Sequence, residues 1–360
     1  MTAFLGLKLL VSASPRHDKH RKMRTLIVGI GALGGTIAAR TNCAGIPFLL
    51  AARSTESAAA LRTSGLQVSG IGGTATARTI QVATIGEYSQ SEKFDLILLA
   101  TKAHDALEIA PSLTRLLAPD GVLLPIQNGG VAQMLAERLG SGRVIGGLSN
   151  LGATMVEPGV YQQRNAGYLL IGELAGGPSA RVERIAQALK GAIDVRTTAN
   201  LRGAIWAKLL LNCSVTTIGA IAGQTMRQYM ILPDGREVFR RAYDEALAVT
   251  LGTGTQPERM IVDPVPPGRK KHSTTGKDYD GWIDQILGVY GDLKPSMLQD
   301  FERGRRTEID FINGYVAQLG ADNALPVSMN AAITQMVHSI ESGAVHPNPA
   351  RLVELIGKGG

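Results

Sequence analysis

Three glycines, Gly29, Gly31 and Gly34, lie between an apolar strand and an apolar helix, and this spacing constrains the chain more than any other feature. From Thr25 the sequence reads TLIVGIGALGGTIAARTNCAGIPFLLAARS: a buried strand, a glycine turn, a helix and a second buried strand, which is a βαβ opening. In a GxGxxG turn the first glycine makes the bend, the second lets backbone approach a pyrophosphate, and the third lets helix pack on strand. The helix starting near Ala32 then offers unpaired N–H groups and a favourable dipole to the phosphate. Gly29, Gly31, Ala32, Leu33 and Gly34 are the expected phosphate-binding turn. A chain with 43 glycines also produces the bare pattern by accident, so the flanking elements carry the weight; the bland reading is a turn that only joins strand to helix.

The second strand ends at Ala52-Arg53-Ser54, where an NAD-preferring site carries an acid for the ribose 2′-hydroxyl. Arg53 stands there instead. A cation pairs with a 2′-phosphate and favours NADP, although a surface arginine at a strand end is the ordinary alternative. Two further apolar strands, near 94–100 and 121–126, deliver Lys102 and Asn128 at their carboxyl ends, the ligand edge of an open parallel sheet. A helix over about 179–189 and a strand near Val195 close this unit, giving a nucleotide-binding domain over 24–199.

From residue 200 the pattern turns to helical periodicity, and a helical domain over 200–350 with a tail at 351–360 is expected. Within LRGAIWAKLLLNCSVTTIGAIAGQ, Lys208 and Asn212 interrupt an otherwise apolar run at i, i+4, which puts an ammonium and a carboxamide on one helix face. Burying a charge costs several kcal/mol unless it is paired, and burial tunes lysine toward general acid–base work. The alternative is a snorkelling lysine with a structural partner. Ser296 with Gln299 and Thr307 with Asp310 read as N-cap pairs of two helices separated by a break at Gly304. In one straight helix Ser296 and Glu308 would stand about 18 Å apart; doubling back at Gly304 lets both reach one small substrate. From spacing alone Glu308 is equally a helix-dipole complement.

Charge and composition exclude several classes. Of the formal charge of +7, five units come from residues 1–24, and no recognition motif or aromatic interleaving follows them, so nucleic acid is not an expected partner. Residues 1–23 read as a basic leader, disordered or preceding the biological start at Met23; a targeting signal fits poorly because the basic residues follow the apolar stretch. No uninterrupted run of 18 apolar residues occurs, which argues against a membrane partner. Cys43 and Cys213 make no disulfide framework, consistent with the cytoplasm, and the six histidines lack metal-ligand spacing, so no metal is expected.

At this point the chain resembles the ketopantoate reductases. The likeness runs over about residues 24–340 and rests on GIGALGG, Arg53, TKAHD around Lys102, PIQNGGV around Asn128, WAKLLLNC around Lys208 and SMLQDFERGRRTEIDFINGYV. It implies an α/β fold: an N-terminal Rossmann-type doubly wound sheet, then an all-α C-terminal domain like that of 6-phosphogluconate dehydrogenase. It implies hydride transfer from NADPH to the C2 ketone of a 2-oxo acid, with Lys208 as general acid and Glu308 orienting substrate and lysine. Asn128, Asn212 and Ser296 hold the active site and substrate, and Arg53 and Lys102 lie at the 2′-phosphate end. Two departures bear on the substrate. Thr216 stands where the family often has a second substrate-binding Asn, and residues 254–294 form a longer, Pro-rich connection expected to be a lid or interaction surface. A paralogue for another 2-oxo acid and a non-catalytic NADP sensor are the competing readings. The apolar C-terminal helices are compatible with a homodimer.

Overall fold

The structure, a computed structural model, describes residues 22–267 and 276–358. The basic leader therefore lies almost wholly outside the described residues. Five parallel strands form the central sheet in the order Val82–Thr84, Phe48–Ala52, Thr25–Val28, Phe94–Leu99, Leu117–Pro125. Thr25–Val28 is buried along its whole length and Leu96 to Leu99 are 0% exposed, the continuous apolar run that helices on both faces demand. The chain runs outward from Thr25–Val28 on one side, then crosses to Phe94–Leu99 on the other. The crevice at the carboxyl ends of this switch point is where ligands bind in such sheets.

Of the strands in two smaller sheets, only the one near Val195 was legible. One sheet runs Ala75–Ala77, Leu66–Gly70, Val160–Gln163, Ala153–Glu157; the other Val195–Thr197, Leu169–Gly172, Gly146–Ser149. Their strands are three to five residues long and several mix polar with apolar side chains, which leaves little periodicity to read. The first sheet packs on the Ala32–Cys43 helix through Tyr161, whose ring lies where a Cβ on Gly35 would sit, 2.0 Å away. Its hydroxyl donates to Ile30 O at 3.1 Å and so braces the glycine turn from behind.

No described residue beyond Thr197 is in a strand, and from Leu201 the chain is helical. The expected order, α/β then all-α, is the observed one. Leu201–Leu211 runs through a π-helical turn, Asn212–Thr216, into Thr217–Ala222. This 22-residue run is long and apolar enough to cross a membrane, but 78% of its most apolar window is buried inside the helical unit, which accounts for its composition.

Two expectations are corrected here. Residues 350–358 are not a tail: Ala350–Lys358 is a helix whose Leu352 and Leu355 are fully buried against the C-terminal core. The connection over 254–294, expected as a lid or interaction surface, packs its described part into the helical core. Val262, Trp282, Ile283 and Ile286 are core residues, Trp282 packs edge-on against Tyr243 and Phe239, and its indole N–H donates to Asp263 O at 2.7 Å. Apolar side chains at helical spacing in the Gly276–Tyr290 helix had somewhere to pack, and packing outweighed the Pro-rich start.

Candidate active site

The glycine turn has the shape that its spacing predicts. Gly29 has φ +92°, and a Cβ there would meet Thr101 N at 2.6 Å; a Cβ on Gly34 would lie 1.9 Å from Gly29 O. Both glycines are compelled by protein packing. Gly31 differs: nothing lies within 4 Å of a Cβ built on it. Gly31 is also the N-cap of the Ala32–Cys43 helix and supplies no side-chain cap, so the first-turn amides face an open space that a phosphate group fits. Arg53, at the end of Phe48–Ala52, is exposed and has no partner among the described residues.

Lys102 stands elsewhere. It is the N-cap of the Ala103–Thr114 helix, after the Phe94–Leu99 strand, and the Thr25–Val28 strand separates it from Arg53's strand by about two sheet spacings, roughly 10 Å. Its ammonium pairs with Asp300 of the helical half at 2.9 Å. Asp300 is one of the residues to which sequence reasoning gave no role.

Lys208 lies on the Leu201–Leu211 helix and keeps only part of its surface exposed. Its ammonium donates to Ser149 O at 2.5 Å. Burial pulls its pKa down to about 8, against a partial offset from the negative charge of Glu308. Ser149 ends the Gly146–Ser149 strand, and the loop after it is cross-tied by Asn165, whose Oδ1 accepts from Gly152 N at 2.6 Å and whose amide donates to Asn150 O at 3.0 Å. A backbone carbonyl as lysine partner leaves no signature in sequence.

Glu308 reaches the site from the irregular stretch after the Ser296–Glu302 helix. That helix ends at Arg303, Gly304 follows at φ +57°, and a 3-10 turn starts at Ile309. The break at Gly304 is as expected, but the caps are not. Pro295 is the N-cap and Ser296 is the first helical residue, exposed and with its hydroxyl unbonded among the described residues; Thr307 Oγ1 accepts from Ile309 N at 3.3 Å, but the N-cap of the short 3-10 turn is Glu308. The ring of Pro295 holds φ at −56°, a value the helix shares, and so starts the helix without a side-chain cap. The Glu308 carboxylate accepts from Ala103 N at 3.0 Å, so it rests on the N-terminus of the helix that follows Lys102, a favourable place for an anion.

Asn128 is partly buried, and its amide makes no hydrogen bond among the described residues. The glycines after it serve docking. A Cβ on Gly129, φ +72°, would lie 1.8 Å from Phe311 O, and Gly130 N donates to that same carbonyl at 3.1 Å. Asn212 opens the π-helical turn with its side chain equally unengaged among the described residues, while its carbonyl accepts the hydroxyls of Thr216 and Thr217, both at 3.0 Å. Thr216 thus spends its only proton on its own helix. Buried groups from outside hold the turn: Asn313 donates to Cys213 O at 3.1 Å, and Tyr229 donates to Ser214 O at 2.9 Å. π-turns concentrate at functional sites because they re-aim side chains.

Two profiles of one family match the chain: "Ketopantoate reductase PanE/ApbA" over residues 25–176 and "Ketopantoate reductase PanE/ApbA C terminal" over 200–341. The chain belongs to the ketopantoate reductase family. As a member it is an oxidoreductase, and the resemblance drawn from its motifs holds. The 2-dehydropantoate 2-reductase of Archaeoglobus fulgidus is 29% identical over 329 residues, spanning 90% of this chain and 99% of that protein. The enzyme of the same name from Halobacterium salinarum is 27% identical over 88% of this chain and 98% of its own length. Among solved structures, the PanE/ApbA family ketopantoate reductase from Ralstonia eutropha JMP134 superposes with a TM-score of 0.75 at 25% identity, over 89% of this chain and 99% of that one. A D-mandelate dehydrogenase solved with NADH and anilino(oxo)acetate shares the fold, with a TM-score of 0.76 at 21% identity over 89% and 99% of the two chains.

Proposed function

We propose that this chain reduces a 2-oxo acid to the 2-hydroxy acid with NADPH, ketopantoate to pantoate, in pantothenate biosynthesis in the cytoplasm. One observation carries the reading: a single partly buried ammonium, Lys208, aimed by a backbone carbonyl and biased by the Glu308 carboxylate, with unengaged carboxamides at Asn128 and Asn212. The names of the relatives from Archaeoglobus and Halobacterium support the substrate.

A reduced nicotinamide, once bound at the switch point, would supply the hydride. Gly29, Gly31, Ala32, Leu33 and Gly34 would hold its pyrophosphate on backbone amides, and Arg53 would pair with a 2′-phosphate, which would select NADPH. Lys102, released from Asp300 or shared with it, adds positive charge at the same crevice. The Lys208 ammonium, with its pKa at about 8, donates a proton to the ketone oxygen as that oxygen gains charge and then regains one from water. Ser149 O fixes the direction of the ammonium, and the charge of Glu308 keeps it protonated near neutral pH. Asn128 and Asn212 hold the substrate through their amides, Ser296 through its hydroxyl, and Thr216 as an acceptor only.

The test is a panel of 2-oxo acids with different side chains, followed by NADPH oxidation. Ketopantoate should give the highest kcat/KM. A low rank for ketopantoate retires that substrate, and NADPH binding without oxidation by any 2-oxo acid retires the enzymatic reading.

A further inference from the structure

Glu308 occupies a stretch of chain that no regular ladder positions. From Arg303 to Thr307 the backbone is neither helix nor strand, Arg303 to Arg306 are exposed, and only Thr307 is buried, at 1%. Its location must therefore come from contacts made by its neighbours. On one side, His104 Nε2 lies 2.9 Å from Thr307 O. On the other, the Thr307 N–H donates to Glu341 Oε1 at 2.7 Å.

Glu341 is the last residue of the Ser328–Glu341 helix, where the dipole disfavours an acid by about 0.3–1 kcal/mol. Something must offset that. His338, one turn earlier, places Nδ1 3.0 Å from Glu341 Oε2 and Nε2 2.8 Å from Asp310 Oδ1, while Arg306 donates to the other Asp310 oxygen at 3.1 Å. Burial works to raise the Glu341 pKa, but the Thr307 amide and hydroxyl and His338 together hold it below the usual carboxylate value. Asp310, two residues after Glu308, and Glu341, which holds the residue before it, are both tied to one imidazole.

We propose that Glu341 is a positioning residue for Glu308: through the Thr307 N–H it sets where the Glu308 carboxylate stands relative to Lys208, with His338 and Asp310 holding Glu341 in turn. This rests on Lys208 acting as the general acid. A plain structural staple in the same place would change stability alone. A positioning residue also changes proton donation, because a displaced Glu308 no longer supports the charge on Lys208.

The experiment follows NADPH oxidation by the preferred 2-oxo acid across pH in the full-length protein. Glu341→Ala should lower kcat by ~10-fold, the low end for a misplaced catalytic partner, with the KM for NADPH unchanged and the basic limb of kcat/KM moved to lower pH. Glu341→Gln, whose amide oxygen still accepts from Thr307 N, should recover most of the rate. In a Glu308→Gln background Glu341→Ala should add little, since the group it positions has lost its charge. A melting temperature that falls while kcat and the limb stay put overturns the proposal, as does full additivity of the two substitutions. If Glu341→Ala does not fold, His338→Gln replaces it; a smaller shift of the limb in the same direction supports the proposal, and an unmoved limb overturns it. Lys208→Ala at wild-type rate would sink the general-acid reading instead, and so separates that failure from this one.

Discussion

The two halves of this oxidoreductase build their sides of the crevice from different material. The N-terminal half offers mainly backbone: the turn at Gly29, Gly31 and Gly34 and the carboxyl ends of parallel strands, with Arg53 as an exposed cation unpartnered among the described residues. The C-terminal half offers side chains, Lys208 and Glu308, each set by contacts with distant residues. Backbone geometry is rigid and locally encoded, whereas the Lys208 ammonium is aimed by a carbonyl 59 residues away in sequence. The lesson is that the phosphate-facing half should tolerate changes that miss its turn, while the helical half should fail sharply at single atoms.

That contrast can be broken in several ways. Lys208→Ala should have the largest effect, lowering kcat by at least ~100-fold with little change in NADPH binding; a variant that loses NADPH affinity instead would move Lys208 to the nucleotide side. Gly129→Ala puts a Cβ against Phe311 O in a left-handed backbone, so it should force the halves apart at a cost of about 1–3 kcal/mol. Turnover should fall by ~10-fold or more while equilibrium NADPH binding survives, and fluorescence titration beside steady-state kinetics checks both. Arg53→Ala should raise the KM for NADPH by ~10-fold and leave that for NADH nearly unchanged, as loss of a charge-assisted phosphate contact requires; equal losses with both dinucleotides would remove Arg53 from the 2′-phosphate. The smallest effect is on the pH profile. Reduction needs the ammonium, so kcat/KM should hold at low pH and fall as pH rises through about 8. Glu308→Gln should move that fall to lower pH, because the charge that props up the lysine is gone; an unshifted limb breaks the link between the two residues.

Much of the nucleotide side was legible. Strand, GxGxxG and helix are contiguous, and their periodicity and spacing reflect forces acting within 30 residues. The central sheet followed, since buried parallel strands are continuous apolar runs. Apart from the strand near Val195, the short strands of the other two sheets, such as Ala75–Ala77, were not, because so few residues give no period. Ser296 and Thr307 were read as α-helix caps from their side chains alone, but Pro295 supplied the helix start and Thr307 was recruited by Glu341. The helix at Ala350–Lys358 was missed although its apolar positions are helical, because nothing before it announced a partner surface.

The sequence by itself determined the class of molecule: a doubly wound sheet with a glycine turn after its first strand, followed by helices, one of which carries a lysine and an asparagine on a single face. Those features are set by steric limits on glycine and by the alternation of apolar residues, both of which act locally. Only the tertiary structure decided that Ser149 O meets Lys208, that Glu308 rests on the helix after Lys102, and that Asp300 holds Lys102. Each of these contacts joins residues from 59 to 205 apart in the chain, and no local rule specifies which carbonyl or amide a charged group will find once the two halves close.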